Sequence, residues 1–358
     1  MGFFIFSTMR KLFLLGVLSI LMSCGSALQP VKTSNVPPPP PPPPSVKVPN
    51  TPKPDPTKDQ MTMVFPNINK MTSVKKTIEF LAADELQGRD TGSMEIEIAA
   101  QFIEARFKNA GVAPYFETYR DNFIAKEKDA FNVVGVVEGN DPVLKNEIII
   151  IGAHYDHIGK GKPVGEDTIA NGANDNAAGT TAVLALADHF AKAKTNKRTI
   201  IFTLYSAEEK GLLGSKHLAK RLKDEKIMPY VMFNIEMIGV PMKDKDHLVY
   251  ISGYDLSNMP AKFNEYAGEN VIGFLPKAKE FNLFMRSDNY PFYQEFNIPA
   301  HTISSFDFTN YNHYHGVGDE ADKMDIPFME KVIQKLIPGL ERMANTKTQE
   351  IKMNEIKN

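Results

Sequence analysis

The sequence predicts an α/β fold: a mixed, mostly parallel twisted sheet with helices on both faces. Three observations carry this. Residues 147–153 are a near-continuous apolar run rich in β-branched side chains, as expected of a central strand covered on both sides. Strand-length and helix-length patterns then alternate along most of the remaining chain. Finally, His154, Asp175, Glu208, Glu209, Glu236 and His315 each fall at a strand end or in a following loop, and a parallel sheet gathers such loops along one edge.

The first sixty of the 358 residues do not read as folded domain. Arg10 and Lys11 precede an apolar run over residues 12–21, about half the length needed to span a bilayer. Basic flank, short apolar core and small residues in that order form an export signal, whether translation starts at Met1 or Met9. Phe6 stands where N-myristoylation wants Ser or Thr. The segment Leu21-Met-Ser-Cys24 resembles the bacterial lipoprotein cleavage site. That implies loss of residues 1–23, a lipid on Cys24 and anchoring to a bacterial membrane, on its periplasmic or cell-surface side. Cys24 is the only cysteine, so no intramolecular disulfide is available. Residues 25–60, with eight consecutive prolines at 37–44, read as a disordered, proline-rich linker whose polyproline run is a stiff spacer. Residues 61–353 read as one α/β domain with a broad sheet. A net charge of −2 makes no case for nucleic acid, and nothing in the sequence sets the oligomeric state.

Within that domain, Val74, Ile78 and Leu81 recur at helical spacing over residues 71–83, with Thr72 or Ser73 able to cap. A polar, glycine-marked loop over residues 84–93 leads to a second helix with the apolar stripe Ile96, Ala99, Ala100, Ile103 and Phe107, stopped by Gly111. Residues 131–138 read as a strand beside the central one. After the central strand and a glycine-punctuated loop, residues 180–194 place Val183, Leu184, Leu186, Ala187 and Phe190 on one helix face. Residues 198–205 are a buried strand followed by Glu208-Glu209 and a helix to about 222. Residues 230–238 form a strand bearing Glu236 near its end; 247–251 and 299–304 are further strands. Asp325 caps the last helix, where Pro327 is tolerated in the first turn.

Histidines with several carboxylates and no thiol suit borderline divalent ions in a catalytic site. Two zinc ions roughly 4 Å apart, bridged by a carboxylate, can activate a water and polarise a carbonyl. In the Glu208-Glu209 pair, neighbouring side chains point different ways, so one can ligate while the other moves a proton. His189, His217, His247 and His301 read as ordinary core or surface residues, and His157 as a supporting neighbour of the site. His313 is not separable from His315 by spacing. Phe306, Phe308, Tyr311 and Tyr314 either line a specificity pocket or pack.

The blocks Gly152-Ala-His154-Tyr-Asp156-His157, Gly172-Ala-Asn-Asp175-Asn176-Ala-Ala-Gly179, Ser206-Ala-Glu208-Glu209-Lys-Gly-Leu-Leu-Gly214, Asn234-Ile-Glu236 and Tyr314-His315 resemble the co-catalytic two-zinc exopeptidases. That family includes bacterial leucyl aminopeptidases and relatives of glutamate carboxypeptidase II. The resemblance runs over roughly residues 70–345 and takes in the loop Glu85-Leu-Gln-Gly-Arg89. It implies one zinc on His154, Asp175 and Glu236, and a second on Asp175, Glu209 and His315. It further implies Glu208 as general base and Asp156 orienting His154 through its second nitrogen. Tyr314, Arg286 and Asp288 are left as substrate or oxyanion contacts, Asp288 equally as a helix cap. Many relatives carry Asp where Glu236 stands, His where Asn289 stands and Thr where Gly316 stands. The implied activity is hydrolysis of N-terminal residues from peptides. Carboxypeptidase action, kept open by Arg286, glutaminyl cyclisation and a silent surface binding module are the alternatives.

Overall fold

In the computed structural model, which describes residues 65–355, chain order is α1 (Val74–Leu81), α2 (Met94–Ala110), β1 (Ala113–Pro114), β2 (Arg120–Ala125), β3 (Lys128–Val137) and β4 (Ile148–His154). There follow β5 (Gly159–Val164), β6 (Asp167–Ala170), α3 (Ala178–Ala193), β7 (Thr199–Tyr205), α4 (Leu213–Asp224), β8 (Pro229–Ile235), β9 (Val249–Ile251) and α5 (Met259–Ala267). Last come β10 (Ile272–Gly273), α6 (Pro276–Glu280), α7 (Asn289–Phe296), β11 (Ala300–Ser304) and α8 (Ile326–Asn345). The expected export signal, Cys24 and the proline linker lie outside the described residues. Among those described, no helix is long and apolar enough to cross a membrane.

Nine strands make one mixed sheet in the order β1-β3-β7-β4-β8-β11-β9-β10, with β2 on the outer side of β3. Its centre, β7-β4-β8-β11, is parallel throughout. All seven side chains of β7 and of β8 are buried, which is why both read as apolar runs rather than alternations. Alternate residues feed two cores. Ile149, Ile151, Phe202 and Phe233 pack with α1, α2, α3, α5 and α8 on one face, while Ile150, Ile201 and Met232 meet Leu218 and Leu222 of α4 and Phe292 of α7 on the other.

The strand at 128–137 departs from expectation. It pairs antiparallel with β7, so β7, not β3, lies beside the central strand. The loop expected after β4 contains the hairpin β5-β6, and β2, unread in the sequence, pairs with residues 128–133 of β3. Helix ends follow their caps. Ser73 and Ser93 accept from the amides of Lys76 and Ile96, Gly111 closes α2 with φ +84°, and Asp325 accepts from Phe328.

The arrangement matters for the chemistry because four adjacent parallel strands end on the same side. His154 terminates β4, Glu208 and Glu209 follow β7, Glu236 follows β8, and the loop after β11 brings His315.

Candidate metal centre

The loop holding Asp175 is fixed on three sides. The amides of Asn174 and Asp175 donate to the two carboxylate oxygens of Asp319 at 2.8 and 3.0 Å, and Tyr311 donates its hydroxyl to Asp319 at 2.7 Å. Asn176 accepts from the amides of Gly179 and Met237 and donates to the carbonyl of Ile235, which binds the loop to the end of β8. Asn174 accepts from the amide of Gly239. The Asp175–Asn176 peptide bond is cis. On the other side sits Arg89, 1% exposed, whose guanidinium donates to the carbonyls of Leu81, Tyr155, Asn171 and Gly172. One side chain thus ties the first helix to the loops carrying His154 and Asp175.

Around this frame the donors converge. His154 Nε2 lies 3.2 Å from Asp175 Oδ1 and 3.6 Å from Glu236 Oε1. His315 Nε2 lies 3.1 Å from Asp175 Oδ2 and 3.2 Å from Glu209 Oε1. The two oxygens of Asp175 therefore face two different donor groups, as a bridging carboxylate must. His154 Nε2 and Glu209 Oε1 are buried and complete no hydrogen bond, so atoms that are costly to bury unpaired point at the two places where a cation would sit. Imidazole and carboxylate donors without sulfur fit zinc in a reactive site.

The supporting contacts differ in detail from expectation. His154 Nδ1 faces the main-chain carbonyl of Asp156 at 3.0 Å, while the Asp156 carboxylate stands 3.8 Å away. That carboxylate instead accepts from the amides of Glu208 and Glu209 and the hydroxyl of Thr91, bracing the acidic pair after β7. Asp156 does orient His154, but through its backbone. Ser287 donates to Glu236 Oε2 and itself accepts from Asn234, so the carboxylate after β8 is tied back to the strand that delivers it.

Burial pushes the Glu208 carboxyl well above the usual range; His154 pulls it down, and Glu236, Asp288 and Glu209 add to the rise. Burial likewise raises Asp156 to about 6 against the pull of His154. Burial lowers the His315 imidazole, yet the facing carboxylates of Asp175 and Glu209 outweigh this and hold it up at about 10. Burial raises Asp175, but the facing imidazoles of His154 and His315 outweigh it and hold the carboxyl far below the usual carboxylate range.

Asp175, Glu208, Glu236 and His315 open onto a cleft of about 570 Å³ whose far wall is Met237, Leu283, Phe306, Phe308 and Tyr314, with the exposed Arg286 beside Ser287. Tyr314 stacks on His315 at 4.0 Å between ring centroids and on Phe306 at 5.3 Å. Tyr311 is turned away to Asp319. Asp288 is not a cleft residue and its side chain makes no cap bond to α7. It is fully buried with both oxygens unpartnered, and burial pushes it up to about 7. It stands at the N-cap position of α7 without capping it through its side chain.

The model of peptidase family M28 matches residues 132–338, more than half of the chain and every donor described above. The chain belongs to peptidase family M28. Over 223 residues this M28 chain is 26% identical to a probable leucine aminopeptidase of Trichophyton verrucosum, covering 60% of this chain and 56% of the other; it spans little more than half of that relative's length. Among solved structures it resembles an aminopeptidase of Aneurinibacillus sp. strain AM-1, with TM-score 0.57 and 20% identity over 81% of this chain and 96% of that one. It equally resembles a glutaminyl cyclase of Porphyromonas gingivalis, with TM-score 0.58 and 15% identity over 76% and 97%. These likenesses show the fold.

In this M28 domain His154, Asp175, Glu208, Glu209, Glu236 and His315 all converge as expected. Two contributors are not marked by the sequence: Asp319, which holds the Asp175 loop, and Arg89, which sits in a matching loop without an assigned role. The cue for Asp319 was slight: an acidic residue four positions after His315. His313 points away, its ring packed near Gly318 and Tyr311.

Proposed function

We propose that this chain is a two-zinc aminopeptidase that removes N-terminal residues from peptides. The observation that carries the reading is the shared Asp175, whose two oxygens face separate donor groups beside Glu208 and an open, apolar-walled cleft. His154, Asp175 and Glu236 would hold one ion, and Asp175, Glu209 and His315 the other. Bound there, the ions would supply an acidified water and a polarised scissile carbonyl. The remaining work falls to the chain. Glu208 takes the proton of the attacking water and delivers it to the leaving amine. Its burial among carboxylates favours holding that proton, and two dications nearby would draw the affinity down towards neutrality. Met237, Leu283, Phe306 and Phe308 accept an apolar side chain, and Tyr314 faces the developing oxyanion.

Arg286 supports a second reading. It is exposed at the cleft, and a terminal carboxylate is the group a guanidinium binds best. A panel of aminoacyl amides, peptides with free or blocked C-termini and N-terminal glutaminyl peptides separates aminopeptidase, carboxypeptidase and cyclase. With Glu208→Gln, kcat on the preferred substrate should fall about 10²–10⁴-fold with little change in KM. Two bound zinc ions without turnover of any substrate would reject the enzyme reading; unchanged kcat in Glu208→Gln would reject the base.

A further inference from the structure

The His157 ring is wholly buried, yet neither of its nitrogens completes a hydrogen bond. Such a group is rare in a folded interior and asks for a partner. Nδ1 stands 2.9 Å from Glu209 Oε1, itself unpartnered, and 3.9 Å from Asp175 Oδ2. His315 Nε2 lies 3.2 Å from the same Glu209 oxygen and 3.1 Å from the same Asp175 oxygen. The rings of His157 and His315 stand nearly perpendicular, 73° between planes and 5.6 Å between centroids.

Ligand atoms of His157, Asp175 and Glu209 lie within 4.8 Å of one another, and His315 Nε2 meets the same Asp175 and Glu209 oxygens from the other side. For zinc bonds of about 2.0–2.1 Å, the edge of a tetrahedron is about 3.3–3.4 Å. The four separations above scatter about that value. Two features keep the ring in place. The amide of His157 donates to the carbonyl of Arg89 at 3.3 Å, in a bridge between residues 90 and 157. Gly172, at φ +59°, lies against the ring so closely that any Cβ there would come within 2.5 Å of it.

Asp175, Glu236 and His315 line the cleft beside Glu208, so each position reaches it, while His154, His157 and Glu209 stand behind them. We propose that His157 Nδ1 is the fourth protein donor to the metal position formed by Asp175, Glu209 and His315. That position then has four protein donors, one of them, His315, at the cleft. The position of His154, Asp175 and Glu236 has three and leaves a place for water. The centre is thus built from two unequal positions, an asymmetry that rests on the two-metal reading above.

The test is metal binding by the full chain, stripped with a chelator and titrated with Zn²⁺ against a chromophoric competitor, and with Co²⁺ followed by visible absorption. The unaltered protein should bind two equivalents of unequal affinity. Altering even an outer-shell partner of a metal ligand costs about 10–100-fold in affinity, so His157→Ala should weaken one equivalent by about 100-fold or more. It should also shift the visible Co²⁺ spectrum of that equivalent, as a nitrogen donor gives way to water. His157→Asp, which restores an oxygen donor, should recover most of the affinity with a shifted band, and serves as the test if His157→Ala does not fold. His313→Ala should behave as the unaltered chain. Full affinity and an unchanged Co²⁺ spectrum in both His157 variants would overturn the proposal. Binding of a single equivalent by the unaltered chain would overturn it together with the two-metal reading. Two unequal equivalents without peptide hydrolysis would leave it standing and remove only the peptidase.

Discussion

Arg89 carries a full charge at a depth normally reserved for phenylalanine, and no carboxylate binds it directly. Burial lowers its pKa to about 10, so it stays protonated at neutral pH, with Asp156, Asp319, Asp175 and Glu209 as the charges that hold it there. It has two jobs that one methionine of similar volume cannot do: it satisfies four main-chain carbonyls, and it offsets the acidic cluster. Arg89→Met should destabilise the fold by about 3–5 kcal/mol, the usual result of leaving a buried charge group without its partner. The loss should be larger in the metal-free protein, where Arg89 is a main cation of the centre, than with zinc bound. Urea unfolding with and without zinc measures both; a loss under about 1 kcal/mol would contradict it. Neither this role nor that of His157 is legible in sequence. Arginine and histidine are normally exposed or merely satisfied, and their identity says nothing about depth. The converging carboxylates and imidazoles were legible because such groups repeatedly follow apolar strands, a pattern with few structural causes.

At the scale of elements, what the sequence carried well was whatever buries on both faces or ends in a strong cap. β4, β7 and β8 are mostly apolar and buried along nearly their whole length, and α1, α2 and α8 begin at Ser73, Ser93 and Asp325. The β5-β6 hairpin escaped because Gly159-Lys-Gly-Lys-Pro-Val164 is mostly polar and packs little apolar surface. The place of β3 escaped because sequential strands are neighbours only as a tendency, and β7 inserts between β3 and β4. The segment at residues 172–177 is the element on which the metal centre depends, and it contains no strand ladder to steady it. Its steadiness comes from Asp319, Asn174 and Asn176. Asp319→Ala leaves the amides of Asn174 and Asp175 without acceptors and should lower zinc affinity about 10–100-fold, while Asp319→Asn, retaining one oxygen acceptor, should lose less. Competitive zinc titration of the two variants checks the order; equal affinity in Asp319→Ala and the unaltered chain would show that the loop holds itself.

For the molecule as a whole, the parallel strands concentrate buried acids at one sheet edge, and that couples stability to both metal and pH. In the metal-free protein Asp156 and Asp288 hold their protons to about pH 6 and 7, although the unfolded chain releases them near 3.8. The folded state binds more protons across that interval, so its stability falls as pH rises from about 4 to 7. His315 acts in the same direction. Its contribution is complete below about 6.5 and is lost as pH rises through about 10, reduced because the ring is 38% exposed and screened. The depressed Asp175 contributes a constant amount above pH 4, since it is ionised in both states. Metal reverses the trend, because the imidazoles must be neutral to ligate and affinity therefore rises with pH. The unfolding midpoint of the zinc-loaded protein should exceed that of the chelator-treated protein at every pH, and the gap should widen by several degrees between pH 6 and pH 9. Thermal scans of the two forms across that range decide it. A gap that stays constant or narrows would mean that protons and zinc do not compete for the same groups, and would separate the acidic cluster from the metal centre.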